Sequence, residues 1–426
     1  MTDFKRLKNI IPQNLVILAT LSIIICAFLV ESNNQLIASI VTLVLSIILG
    51  LQPVPVAICF IMMLIPSSRS VEAFGISGAV LISFFCTLFN IINHKKIDRK
   101  LIVFSLIYIL YSQQYLIRFG DINISIIMPV KIIVFILLFS FLIEDCIITK
   151  DIDSFLYSAN TALFIGIISS VIPSIIIGTG IRLYVINNDS NMLAIECVFA
   201  FSMYSHLYFV RNILSKTFFV FSSITLFILT IMCGSRMGIV LLIFVLISSI
   251  TMNIRNLKKY LLTFLSLFIL LFIFINSDFG QQLIQNIIIR NKALISNQNF
   301  NNGRLDIWSD YLTVLNSNKW LWIFGLGDYR RFDLFFMAHN FIIEDIAAYG
   351  LIGLIILYFI YFYSFKNIAK HLNIRFSRIS LFSLVPLLVP IIGGMTLHGL
   401  GSLPNYSMLF LGFLAIISTE LSKNKN

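Results

Sequence analysis

Fourteen long apolar runs dominate this chain and leave few folds open to it. They lie near 11–30, 36–51, 54–65, 76–93, 101–117, 126–143, 155–177, 192–210, 217–233, 237–252, 260–276, 338–363, 379–398 and 406–421. Inside a bilayer every backbone polar group must be satisfied without water, so only helices and closed barrels cross it. A spanning helix needs about 20 apolar residues, whereas barrel strands are short and alternate in polarity. The runs here are long and continuous. The sequence therefore predicts an all-α polytopic integral membrane protein with about 12–14 transmembrane helices. Only 12% of the residues are charged and 59% are hydrophobic, against about 25% charged in a soluble domain. The run at 54–65 is short and bounded by Pro53, Pro55 and Pro66, so it is expected to be a re-entrant or broken element. The basic start MTDFKRLKN precedes an apolar run with no small-residue cleavage site, which predicts an uncleaved first span.

Charge sorts the loops into two sets. One set (1–10, 94–100, 144–154, 211–216, 253–259, 366–378 and the C-terminal SKNKN) holds 19 Lys and Arg; the opposite set holds ten. The positive-inside rule puts the first set, with both termini, in the cytoplasm. The net charge of +11 is thus accounted for by topology and calls for no nucleic acid. The type of base differs as well. The cytoplasmic loops carry 13 Lys and 6 Arg, the outer loops 2 Lys and 8 Arg. Arginine offers a planar fork that grips phosphate or carboxylate with two hydrogen bonds, so an anionic group is expected on the outer side.

One outer loop, 277–337, divides the chain into eleven preceding helices (1–276) and three following ones (338–426). Loops longer than about 12–15 residues are usually functional or disordered, and this one is not of low complexity. Within it NNGRLDIWSDYLTVL reads as an amphipathic helix with Trp308, Tyr311, Leu312 and Leu315 on one face. All three tryptophans of the chain lie here, which suits a helix at the membrane interface. The six cysteines and five histidines form no close clusters. No disulfide framework, metal site or cofactor motif is predicted.

Four outer stretches carry groups capable of chemistry: CGSRMG (233–238), NGRLDIW (302–308), FGLGDYRR (324–331) and AHNFIIED (338–345). Arg236 sits at the edge of the bilayer core, where a charge needs a partner or a watery cavity; a structural ion pair with Glu196 or Glu344 is the plainer explanation. His339 opens a helix, whose positive end favours the neutral imidazole that a general base requires. Asn340 and Glu344 are four apart and positioned to hold each other, and Glu344 or Asp345 is placed to orient His339 or an arginine. The glycines of FGLG suit a turn better than a phosphate cradle. In NNDSN (187–191), GTGIR (178–182) and HGLGSLPN (398–405), turn chemistry suffices, with Asn191, Arg182 and His398 as possible pocket residues.

In order and hydropathy, GSRMG, the large outer loop, NGRLDIW, FGLG and AHNFIIEDIAAYGLIGLIIL, preceded by NNDSNMLA, resemble the O-antigen polymerase and ligase superfamily of bacterial surface-polysaccharide assembly. The resemblance implies a metal-independent, inverting membrane glycosyltransferase without cofactor. Its donor would be an oligosaccharide on undecaprenyl pyrophosphate at the outer face of the inner membrane, and its partners membrane lipid and a chain-length regulator protein. By the family pattern Arg236 and Arg304 would contact the pyrophosphate and His339 would take the acceptor proton. Arg182, Arg330, Arg331, Asn340, Glu344 and Asn191 would line the pyrophosphate and glycan site. Within the superfamily a polymerase is expected, with an O-antigen ligase as the alternative. The rival class is a lipid-linked oligosaccharide flippase, for which Lys131 near Pro129 is the best sign.

Overall fold

The computed structural model describes residues 11–93, 98–120, 122–144, 147–177, 189–251, 304–327, 334, 338–371, 381–395 and 403–423, with isolated positions between 265 and 285. Helices fill thirteen of the fourteen apolar runs; the run at 260–276 lies almost wholly outside the described residues. In order they are α1 (Gln13–Glu31), α2 (Gln35–Gly50), α3 (Val54–Leu64), α4 (Gly78–Ile92), α5 (Arg99–Phe119), α6 (Met128–Glu144), α7 (Ile147–Ile177), α8 (Ser190–Ser205), α9 (Lys216–Met232) and α10 (Arg236–Thr251). Then come α11 (Arg304–Ser317) and α12 (Lys319–Phe324) of the outer loop, α13 (Phe341–His371), α14 (Leu381–Gly394) and α15 (Leu403–Lys423). The one sheet among the described residues is a two-stranded antiparallel hairpin, Glu72–Ala73 with Ile76–Ser77.

The protein is an all-α polytopic membrane protein. Among the described residues, six helices are long and apolar enough to cross a membrane, and seven shorter apolar helices accompany them. Large apolar side chains such as Ile17, Leu36, Leu110 and Ile117 are exposed, as expected of surfaces that face lipid rather than water. At the centre stands α8, buried at every residue but Asn191. It packs against α7, α9, α10 and α14. Along α3 all eleven residues are buried, and a 3-10 turn at Ile65–Ser67 containing Pro66 follows. At about 1.5 Å per residue α3 is only about 16 Å long, walled by α4 and α7.

Local sequence explains both ends of α5. The Asp98 carboxylate accepts from Lys100 N–H at 2.8 Å to start α5, and Gly120 ends it in the left-handed region at φ 64°. Left-handed geometry suits glycine because it lacks a Cβ.

The run at 338–363, expected to be one span opening at His339, is corrected by the structure. Inside α13, Gly350 adopts φ 66°, ψ 172°, which is not helical. A first arm ends at Tyr349 and a second begins at Leu351. The second arm, of about 20 residues, is long enough to cross a bilayer alone.

Candidate active site at adjoining helix N-termini

The stretch CGSRMG builds one wall of the site. Gly234, at φ 59°, closes α9 by donating its N–H to Ile231 O at 2.8 Å. Ser235 then caps α10, its hydroxyl oxygen accepting from Gly238 N–H at 3.2 Å. Arg236 is the first helical residue, with its side chain exposed. Gly238 lies against α8: a Cβ built there would be 2.7 Å from the Ala194 Cβ. Because Gly238 and Ala194 both lie in the first turns of their helices, the starts of α10 and α8 meet. The start of α8 is capped by Asp189, whose Oδ1 accepts from Asn191 N at 2.8 Å and Asn191 Nδ2 at 3.0 Å. Two helix N-termini, each with partial positive charge, thus stand together.

Arg304, the first residue of α11, completes this wall. It is half-buried. Burial first, then the neighbouring Arg236 guanidinium, pulls Arg304 below its ordinary pKa, and the Asp189 carboxylate opposes them. An arginine remains charged throughout the biological range. Two cations and one anion, drawn from α10, α11 and the cap of α8, are therefore electrostatic neighbours.

The same short helix carries His339 to the site. Trp308 follows Arg304 by four residues, on one face of α11 and with Cβ atoms about 6 Å apart. Its indole N–H donates to Ala338 O at 2.7 Å. The next residue, His339, is half-buried and holds φ 49°. A left-handed non-glycine residue is uncommon, and such conformations gather at functional sites. Asn340 Oδ1 then caps α13, accepting from Ile342 N at 3.0 Å and Ile343 N at 3.3 Å. Beneath, Tyr311, Leu315, Leu321, Leu326, Leu334, Ala338 and Ala347 form a separate apolar core. The face expected to lie on the membrane is therefore spent on protein: Tyr311 and Leu315 are buried in that core, with Trp308 packed against it. Leu312 is exposed and does not share in it.

A backbone clasp holds this outer unit to the bundle. Gly325, at φ 78°, and Gly350 touch main chain to main chain. A Cβ on Gly350 would sit 2.4 Å from Ile323 O, and one on Gly325 would sit 2.6 Å from Ala348 O. Leu326 N–H donates to Ala347 O. From α5, Tyr115 and Tyr111 donate their hydroxyls to Phe324 O and Tyr349 O, each at 2.7 Å. The glycines of FGLG thus serve a turn, as their sequence suggested, and also a close approach that it did not announce.

The predicted residues separate cleanly. Arg236, Arg304, Asn191, His339 and Asn340 come to the N-terminal ends of α8, α10, α11 and α13. Asn340 spends its carbonyl oxygen on the helix cap, and Glu344 is half-buried one turn on. Arg182, Arg330, Arg331 and His398 lie outside the described residues. The Arg236–Glu196 alternative is overturned, since Glu196 is fully buried in α8 and neither of its carboxylate oxygens has a hydrogen-bond partner. Asp345 turns inward to Tyr358. Lys131 has Glu72 as an electrostatic neighbour. Two contributors were not predicted: Asp189, explained by turn chemistry alone, and the Trp308 tether.

No curated protein and no solved structure matches this chain. A family model described as O-antigen ligase matches residues 221–358. The matched stretch begins within α9, takes in Arg236, Arg304 and His339, and ends at Tyr358 beyond the break in α13. Over residues 221–358 this membrane protein matches an O-antigen ligase family domain, consistent with the O-antigen polymerase and ligase superfamily.

Proposed function

We propose that the protein is a polymerase of surface polysaccharide. It would transfer a growing glycan from undecaprenyl pyrophosphate to a hydroxyl of another lipid-linked repeat unit, on the outer face of the bacterial inner membrane. The observation that carries this reading is the apposition of Arg236 and Arg304 at two adjoining helix N-termini, with His339 tethered to the same short helix.

The acceptor oxygen attacks the anomeric carbon as the bond from that carbon to the pyrophosphate oxygen breaks. The electron pair leaves with the pyrophosphate, and the acceptor proton passes to the His339 imidazole. Attack from the side opposite the leaving group inverts the sugar carbon. Fixed guanidinium groups and helix N–H groups meet the charge that develops on the leaving group. A positioned base typically contributes about 10²–10⁴-fold. The donor is already activated by its pyrophosphate, so the step draws on no nucleotide.

A second reading, an O-antigen ligase that passes the glycan to lipid A-core, is favoured by the description of the matching family. Surface polysaccharide from a deletion strain complemented with wild type or His339→Ala separates the readings. Loss of the long-chain ladder with a single capped repeat remaining supports the polymerase. Loss of all capped material, with lipid-linked polymer accumulating, supports the ligase. Lipid-linked single repeats trapped on the cytoplasmic side would instead indicate a flippase.

A further inference from the structure

Asp189 is an acid in a place built for an anion. It caps the start of α8, and both donors of Asn191 go to a single oxygen, Oδ1. The Ala194–Gly238 contact sets that cap beside the start of α10, where Arg236 stands. Arg304 reaches the same place from α11, with Asp189 and Arg236 as its electrostatic neighbours. Capping alone needs no charge, because serine or asparagine caps as well as aspartate. A carboxylate here weakens attraction for any anion that arrives, which is a cost unless the charge has a use.

We propose that Asp189 is an exchangeable counter-ion: it balances the arginine pair while the site is empty, and an incoming diphosphate takes its place. This rests on the reading of the arginine pair as a pyrophosphate site. Two guanidinium groups so placed repel each other, and the carboxylate offsets that repulsion between turnovers. A ligand with one negative charge gains little by replacing one carboxylate, whereas a diphosphate brings more charge than it displaces. Asp189 therefore selects for polyanions. It also competes with the bound product and so speeds release of the lipid diphosphate. Asp189 is a positioning residue, acting through Arg236 and Arg304.

Asp189→Asn keeps a capping oxygen and removes the charge. Asp189→Ser, which also caps, guards against a folding defect peculiar to either variant. The test follows the thermal unfolding of the detergent-solubilised full-length protein while inorganic pyrophosphate or inorganic phosphate is titrated. Wild type is expected to be stabilised by pyrophosphate far more than by phosphate. Both variants should respond to pyrophosphate at about tenfold lower concentration, the size of one charge–charge interaction in a partly solvated site, and should respond to phosphate as well. In transfer assays KM and kcat should fall together, a pattern that lost folding stability does not produce. Equal pyrophosphate titrations in wild type and both variants would overturn the counter-ion while leaving the anion site standing. No response in wild type would overturn the anion site and the counter-ion with it.

Discussion

Tyr358 donates its hydroxyl to Asp345 Oδ2 at 3.1 Å, across thirteen residues of sequence. In an unbroken helix that separation is about 20 Å along the axis. The contact exists because α13 breaks at Gly350 and its first arm turns back on the second. His339 and Asn340 ride at the far end of that first arm. Gly325, Gly350, Tyr111, Tyr115 and Tyr358 together fix where the imidazole stands.

Removing the Tyr358 hydroxyl takes one hydrogen bond from the buried Asp345 carboxylate. Tyr358→Phe should cost about 1–3 kcal/mol and lower transfer activity by displacing the arm, while the protein still reaches the membrane. Thermal unfolding and a polysaccharide ladder from the same strain check both parts. Unchanged ladder length and unfolding temperature would mean that the hydroxyl does not hold the arm.

Gly350→Ala should be far harsher. The new methyl would meet the Ile323 carbonyl at 2.4 Å, at a backbone φ that disfavours any side chain. A loss of more than about 3 kcal/mol is expected, since both overpacking and backbone strain apply. Little folded protein should be recovered on size-exclusion chromatography in detergent. Gly353→Ala, a few residues away, offers a milder comparison: its Cβ would meet the Tyr111 side chain, not main chain.

Arg236→Lys keeps the charge and loses the fork. If two-pronged contact with the leaving group is its role, kcat/KM should fall by at least about 10²-fold with folding unaltered. Transfer to a synthetic lipid-linked acceptor, measured with matched protein levels, gives the number. Full activity would reduce Arg236 to a structural charge.

Trp308→Phe tests the tether. It removes one hydrogen bond, worth about 1 kcal/mol, and keeps the ring. Freed from Trp308, Ala338 and His339 should wander, so kcat should drop about tenfold or more while KM holds. A normal kcat would show that the remaining packing of α11 suffices to place His339.

At the opposite end of α5, Asp98 predicts an acid limb of stability. Burial pushes its carboxyl up, but hydrogen bonds from Lys100 N–H, Tyr363, Asn367 and Leu101 N–H outweigh it and hold the group below its ordinary value. A carboxyl depressed in the folded state contributes stability that is present above its unfolded pKa, about 3.9, and is lost as pH falls through the folded value. Asp98→Asn should flatten the stability curve in that window and change its slope little at neutral pH. A thermal-unfolding series across pH decides this.

Much of the architecture was legible because hydrocarbon demands it. Runs of apolar residues have few ways to exist in a membrane, and helices occupy thirteen of them among the described residues. Arg236 and His339 stand out in the sequence because they are polar groups set where polarity is costly; that Arg304 neighbours Arg236 is seen only in the structure. The break in α13 was hidden. Gly350 lies in AAYGLIGLI, where hydropathy runs on without interruption and a helical glycine is ordinary in membranes. Its conformation depends on Gly325, twenty-five residues earlier, and no local pattern announces that meeting. Trp308 showed a similar limit: amphipathicity indicated which face of α11 would be covered, but not by what. The stretch holding Asp189 reads as turn chemistry; Asp189 is instead a helix cap, and only the meeting of α8, α10 and α11 reveals the arginines beside it.

That packing has a consequence for how the site sets its own width. Gly238 presents only hydrogen to Ala194, so α8 and α10 approach more closely than a side chain at that position would allow. The gap between their positive ends is thereby governed by an atom that is missing one turn below the surface. Any bulk added at that point would spread the two ends like the jaws of a caliper. Residues that decide which anion the site measures best thus include one that never touches it.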